Sequence, residues 1–350
     1  MTSSSPARAP HGGAGTAPAI ATEALRKTYR TGRGAPPVEA LRGLDLEVPA
    51  GSVTGLLGPN GAGKSTTTKI LTTLTLPTSG TARVGGHDVT AEPARVRALI
   101  GYVSQGASTD PLLTAEENLA LAARLRGMNR PDAQDRARRL LAEFGLADAA
   151  RRPVAKFSGG MRRRLDVAAA LTHRPSVLFL DEPTTGLDPE SRAAMWAEIR
   201  RLAGEDSLTV VLTTHYLEEA DRLADSLVII DHGVEVVSGT PTELKSALHG
   251  DTVRVELHEP DAVAVRTAVD GLPGLRDLLV EVAGTGGSLV ARTDHGGDAV
   301  GAVVSALTAA GIPFGAVAVS APSLDDVYLH HVGHTFAAGD GATDREGAAA

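Results

Sequence analysis

Residues Gly58, Pro59, Asn60, Gly61, Ala62, Gly63, Lys64, Ser65 and Thr66 fit the pattern GxxxxGK[ST]. Glycines at these places let the backbone curl so that successive N–H groups point at phosphate oxygens. A short apolar stretch, residues 52–57, runs into the loop, and residues 64–74 carry a helical pattern after it. The helix start adds its positive end to the cradle. Lys64 can reach the β- and γ-phosphates, and the Ser65 hydroxyl can ligate Mg²⁺. The competing reading is a glycine-rich turn that merely links strand to helix. The apolar strand before it and the helix after it weigh against that reading.

A phosphate loop between strand and helix demands an α/β context, and the rest of the chain supplies one. Residues 176–180, with Pro175 before them, form a continuous apolar run. So do residues 208–212 and 226–230. Such runs suit parallel strands buried on both faces. Helical patterns fill residues 115–126 and 132–144, and Pro77, Thr78, Ser79 and Gly80 break the chain. Residues 41–48 alternate, with Leu44, Leu46 and Val48 apolar, and read as a half-buried strand closed by the turn Pro49, Ala50, Gly51. Strands alternating with helices predict an α/β domain with a largely parallel sheet.

The chain has 350 residues, enough for one large domain and a smaller one. Its pattern predicts a disordered leader over 1–18, a main domain over 19–249, a small α+β unit over 250–332 and a disordered tail over 333–350. Within the small unit, residues 252–257 and 288–291 read as strands and 299–310 as a helix. Hydrophobic residues make up 42% and aromatics 3%, so the core must be aliphatic. There is no cysteine, which excludes disulfides and cysteine-ligated metals. The net charge of -8 argues against a nucleic-acid partner. The longest apolar runs, residues 227–230 and 315–319, fall far short of the roughly 20 residues of a spanning helix. The leader has no apolar h-region. The chain is therefore expected to be soluble and cytoplasmic, with any membrane supplied by another polypeptide.

Two further segments carry chemistry. The run 177–180 delivers Asp181 to the end of an apolar strand, where doubly wound sheets place ligands. There Asp181 can hold the Mg²⁺ shell. Glu182, one residue on, can polarise a water for in-line attack on the γ-phosphate. A carboxylate pair that merely caps the next helix is the plainer reading, and the loop at 58–66 weighs against it. Phe157, Ser158, Gly159, Gly160, Met161 and Arg162 follow a different logic. Ser158 is a good N-cap, and the glycines leave the first amides of a helix over 161–171 uncovered for an anion. On Ser-Gly-Gly alone, an ordinary capped helix would be the better reading.

In series with the phosphate loop and the carboxylate pair, that segment resembles the signature sequence of ABC ATPases. The resemblance covers about residues 20–248. It implies a P-loop NTPase fold: a RecA-like core, an antiparallel β subdomain and a helical subdomain, here followed by the small α+β domain. It implies that Gln105 touches Mg²⁺ and the attacking water at the start of a segment facing a transmembrane partner. It implies that Asp188, after Gly186 and Leu187, crosses a dimer interface, and that His215 donates to the γ-phosphate. Tyr29 resembles the aromatic that stacks on adenine, although it could equally pack on a neighbouring strand. The implied machine is a head-to-tail dimer with a second copy or a paralogous cassette. Each ATP is sandwiched between one subunit's 58–66 loop and the other's Ser158, Gly159 and Gly160. Such a dimer works on a separate permease at the cytoplasmic side of the cell membrane.

Departures from the commonest pattern point to a branch. Phe157 stands where Leu is usual and Met161 where Gln is usual, and Met cannot donate the hydrogen bond that Gln can. Residues 158–165 and 184–192 are similar to the drug-resistance branch, the daunorubicin-exporter type, and so are Ala321, Pro322 and the run 323–329. That likeness implies efflux of a drug, antibiotic or other hydrophobic natural product. Arg162, Arg163 and Arg164 read as a solvated helix face. The small C-terminal unit carries no chemical signature. It could brace the dimer, help dock the permease, or serve only as structure. Two rivals stand beside the transporter reading. A cassette acting on ribosomes or DNA usually carries two cassettes or a long coiled coil, and neither pattern occurs. A GTPase would carry an Asn-Lys-x-Asp motif, which is absent.

Overall fold

The computed structural model describes residues 17–30, 36–106, 108–205, 207–283 and 286–332. The expected disordered leader therefore lies almost wholly, and the expected tail wholly, outside the described residues. Among the described residues no helix is long and apolar enough to cross a membrane.

A six-stranded sheet organises the main domain, in the order Val234–Gly239, Ser226–Asp231, Val53–Leu57, Thr209–Thr214, Val177–Asp181, Ile100–Val103. All neighbours are parallel except the first pair, which is antiparallel. Every residue of Val53–Leu57, Val177–Asp181 and Thr209–Thr214 is buried, as unbroken apolar runs require of strands covered on both faces. Side chains alternate between the two faces. Leu178, Leu180, Val210 and Leu212 face a core with the helices Ala115–Leu125, Arg130–Glu143, Gly159–Ala170 and Pro189–Glu205. Val177, Phe179 and Val211 face a second core, shared with the helix Lys64–Leu71 and an antiparallel sheet. That sheet runs Val38–Val48, Ile20–Tyr29, Ser79–Val84, His87–Asp88. The helix after the glycine loop stops at Leu71, short of the expected residue 74, because Thr73 turns into the left-handed region at φ 62°.

A third sheet holds Leu275–Ala283, Gly286–Thr293, Asp251–His258 and Phe314–Ser320, in that order and all antiparallel. The helices Ala262–Val269 and Gly296–Ala309 cover one face of it around Val253, Val255, Leu257 and Leu289. Its β-α-β-β-α-β order is that of a split βαβ, ferredoxin-like unit. The last helix, Leu324–Val332, does not join this core. Its Leu324, Val327 and Tyr328 pack with Leu57, Leu217, Ala220, Leu227, Leu244 and Leu248 of the main domain. The small unit is thus joined to the main domain at both ends.

Candidate functional site

The glycine loop leaves the buried strand Val53–Leu57 and enters the helix Lys64–Leu71. Two of its glycines have no substitute. Gly58 sits at φ 155°, and a Cβ there would collide with the Ile230 carbonyl. Gly63 sits at φ 113°, and a Cβ would stand 2.8 Å from the Ala40 oxygen. By contrast, nothing lies within 4 Å of a Cβ placed on Gly61, so this edge of the cradle is open. The Lys64 ammonium is folded back inside the loop, donating to the carbonyls of Gly58 (2.5 Å) and Pro59 (3.1 Å). Asn60 and Ser65 are exposed, while Pro59 and Ala62 are buried and Thr66 is half-buried.

Asp181 ends the strand Val177–Asp181 and is 7% exposed. The Thr213 hydroxyl donates to its Oδ1 at 2.6 Å. The same hydroxyl accepts the Glu182 N–H at 3.1 Å, so the neighbouring strand fixes both carboxylate residues at once. Glu182 lies at φ 47°, in the left-handed region that a side chain with Cβ seldom enters. His215 Nδ1 lies 3.3 Å from Glu182 Oε1, and the Thr185 hydroxyl donates to Oε2 at 3.1 Å. The hydrogen bond from His215 holds the Glu182 carboxyl below the ordinary glutamate value; burial pushes it the other way, and Thr185 and Gln105 lower it further. Gln105, Glu182 and His215, far apart in sequence, therefore meet around one carboxylate. Ser65, Gln105 and Asp181 offer hydroxyl, amide and carboxylate oxygens, the donor set that a hard cation such as Mg²⁺ takes.

Ser158 caps the helix Gly159–Ala170, its hydroxyl accepting the Met161 N–H at 3.2 Å. A Cβ on Gly159 would meet Leu187 at 3.7 Å, and one on Gly160 would stand 2.8 Å from Ser191 Cβ. Gly160 thus lets this helix start seat closely on the helix that Asp188 begins, whereas a side chain at 159 would make only ordinary contact. Asp188 itself is exposed and caps the helix Pro189–Glu205 through the Ser191 N–H at 2.9 Å, a bond that also lowers its carboxyl pKa. Tyr29 ends the strand Ile20–Tyr29, half-buried, with the Lys27 ammonium 4.9 Å from its ring centre.

The expected solvated face at 162–164 holds only for Arg162. Arg163 is 8% exposed, and Arg164 is half-buried with its guanidinium donating to the Phe144 carbonyl. Both turn inward because backbone carbonyls from distant segments await them there. Sequence reasoning also passed over Tyr102, Thr213 and Glu219. Tyr102 stands beside Asp181, and burial followed by that charge pushes its phenol up. A polar residue opposite a chemical one in the next strand is the signal that could have found Thr213, which pairs with Asp181 in register.

The His215 contact has a pH signature. A carboxyl with a depressed folded pKa contributes stability that is fully present above the unfolded value and lost as pH falls through the folded one. His215→Ala is expected to cost about 1–2 kcal/mol at pH 7. That deficit should close as acid protonates Glu182. Denaturant titrations across the acid range check it, and a deficit of constant size would show that the bond to Glu182 is not its source.

A glycine loop after Val53–Leu57, a carboxylate pair at the end of Val177–Asp181 and a glycine-flanked helix start packed on the same sheet fit a nucleoside-triphosphate hydrolase built as a cassette. The ABC transporter family profile matches residues 41–185. The daunorubicin/doxorubicin resistance ATP-binding protein DrrA of Streptomyces peucetius is 52% identical over 70% of this chain and 72% of its own length. The daunorubicin resistance ATP-binding protein DrrA3 of Streptomyces coeruleorubidus is 46% identical over 84% of this chain and 92% of its own. Among solved structures, the dimeric post-hydrolysis state of the ATP-binding cassette MJ0796, bound to ADP and Pi, aligns with TM-score 0.58 at 27% identity. It covers 63% of this chain and 98% of that one. The chain belongs to the ABC transporter family, as one of its ATP-binding, ATP-hydrolysing subunits.

Proposed function

We propose that this chain energises the efflux of a drug, antibiotic or similar hydrophobic natural product through a separate membrane permease. The observation that carries the hydrolytic part is the meeting of Gln105, Thr185 and His215 on the Glu182 carboxylate, beside Asp181 at the sheet end. The drug-efflux part is supported by 52% identity to a daunorubicin/doxorubicin resistance protein.

ATP binds with its phosphates in the 58–66 loop, its charge met by Lys64 and the loop amides, and its adenine beside Tyr29. Ser65, Asp181 and Gln105 would hold Mg²⁺, which when bound would neutralise charge on the phosphate oxygens. Glu182 takes the proton of the attacking water, which Gln105 and Glu182 orient in line with the γ-phosphate. As the water oxygen bonds to that phosphorus, the bond to the β–γ bridging oxygen breaks, leaving ADP and inorganic phosphate. His215 shifts from Glu182 to the γ-phosphate as the site fills. Ser158, Gly159 and Gly160 offer their amides to the triphosphate of a second subunit, and Asp188 lies at that junction. Closure needs the γ-phosphate because both halves grip it. The pair sits on the cytoplasmic side of the membrane, attached through the permease.

The test is expression in a drug-sensitive host together with a candidate permease, reading the cellular accumulation of a fluorescent anthracycline. Accumulation should fall only when both proteins are present, and should return to the control level with Glu182→Gln. Accumulation unchanged by the pair would remove anthracycline efflux from the reading.

A further inference from the structure

Arg163 lies on the helix that begins at Ser158, yet its guanidinium is committed to the segments bearing the hydrolytic residues. Nε donates to the Pro183 carbonyl at 2.9 Å, and one terminal nitrogen to the Ser104 carbonyl at 2.6 Å. The other terminal nitrogen donates to the carbonyls of Asp181 (2.8 Å) and Glu182 (3.2 Å). One side chain thus grips the backbone just before Gln105 and the whole turn that carries both carboxylates. Glu219 is itself fully buried and accepts the Thr184 hydroxyl at 2.8 Å and the Trp196 indole N–H at 3.1 Å. Its helix, Leu217–Leu223, begins two residues beyond His215. Residues 181–184 are therefore held by both a buried cation and a buried anion. A left-handed non-glycine residue such as Glu182 persists only where its surroundings over-determine it.

We propose that Arg163 is a positioning residue that fixes the Glu182 carboxylate to the serine–glycine helix of its own subunit. The inference rests on the reading of Glu182 as the base. Since that helix also presents Ser158 to the second subunit's nucleotide, the brace ties the base of one site to the phosphate grip of the other. Only a planar fork of donors can hold carbonyls in four directions at once; an ammonium on a flexible stem cannot.

The test is a double-mutant cycle on the full chain, reading ATP turnover, KM and thermal midpoint for Arg163→Lys, Arg163→Gln, Glu182→Gln and the combinations. Misplacing a reacting group by about 1 Å costs on the order of 100-fold. Each Arg163 variant is therefore expected to lower kcat by roughly 10- to 100-fold, with KM for ATP close to wild type and the thermal midpoint lowered by only several degrees. In the Glu182→Gln background, the same substitutions should cause no further loss, because a misplaced base that is already absent costs nothing. Equal losses in both backgrounds, unchanged kcat in both Arg163 variants, or a collapse of the thermal midpoint in both would each overturn the proposal. A wild-type rate for Glu182→Gln alone would instead sink the base assignment, whatever Arg163 does.

Discussion

Glu182→Gln is expected to lower ATP turnover by about 10²- to 10⁴-fold while leaving nucleotide affinity close to wild type. The substitution keeps the size and the oxygen that accepts from Thr185. It removes the one property a base requires, the capacity to take up a proton. The phosphate loop and Lys64 lie on other elements, so binding should persist. With the γ-phosphate left intact, the two subunits should stay closed, giving an ATP-dependent dimer on gel filtration that wild type loses with time. Wild-type turnover in this variant would mean that another group activates the water.

Lys64→Ala is expected to weaken ATP binding by about 10- to 150-fold, the loss of charge-assisted hydrogen bonds worth roughly 1.5–3 kcal/mol. Lys64 is 6% exposed, and its ammonium already sits among loop carbonyls. It is therefore pre-positioned, with little side-chain freedom left to lose when phosphate arrives. Equilibrium titration with a fluorescent ATP analogue measures the effect. Unchanged affinity would remove residues 58–66 from the nucleotide site. The variant should remain folded, since the glycines at 58 and 63 hold their conformation through close backbone approach, independent of the lysine.

The parts of the site legible in sequence are those whose chemistry is packed into a few consecutive residues. The loop at 58–66, the pair Asp181 and Glu182, and the Ser158 cap each announce themselves locally. So do the central strands, whose apolar runs have no other comfortable place than a sheet covered on both faces. What escaped is set by long-range partners. Arg162, Arg163 and Arg164 are identical letters in a row. Only the carbonyls of Ser104, Asp181, Glu182 and Pro183 distinguish the middle one. Glu219 sits in a polar stretch that reads as a solvated helix face, and only Thr184 and Trp196 show why it is buried. Beside its proposed place at the dimer junction, Asp188 caps the helix Pro189–Glu205, which sequence patterning did not mark. The C-terminal helix is a further case. Leu324, Val327 and Tyr328 look like the end of the small unit, but their apolar side is matched by Leu57, Leu217 and Leu244.

That helix sets the order in which the protein can be completed. During synthesis the main domain's strands and glycine loop emerge first, yet the cluster around Leu57 lacks part of its cover until Leu324, Val327 and Tyr328 leave the ribosome. A contact between such distant parts of the chain closes late and slowly, because the loop entropy must be met before the contact rewards it. Until then the nascent main domain carries an exposed apolar patch, the surface that chaperones hold and proteases find. Chains cut short before residue 324 keep every residue of the nucleotide site and still lack part of the cover of their own core.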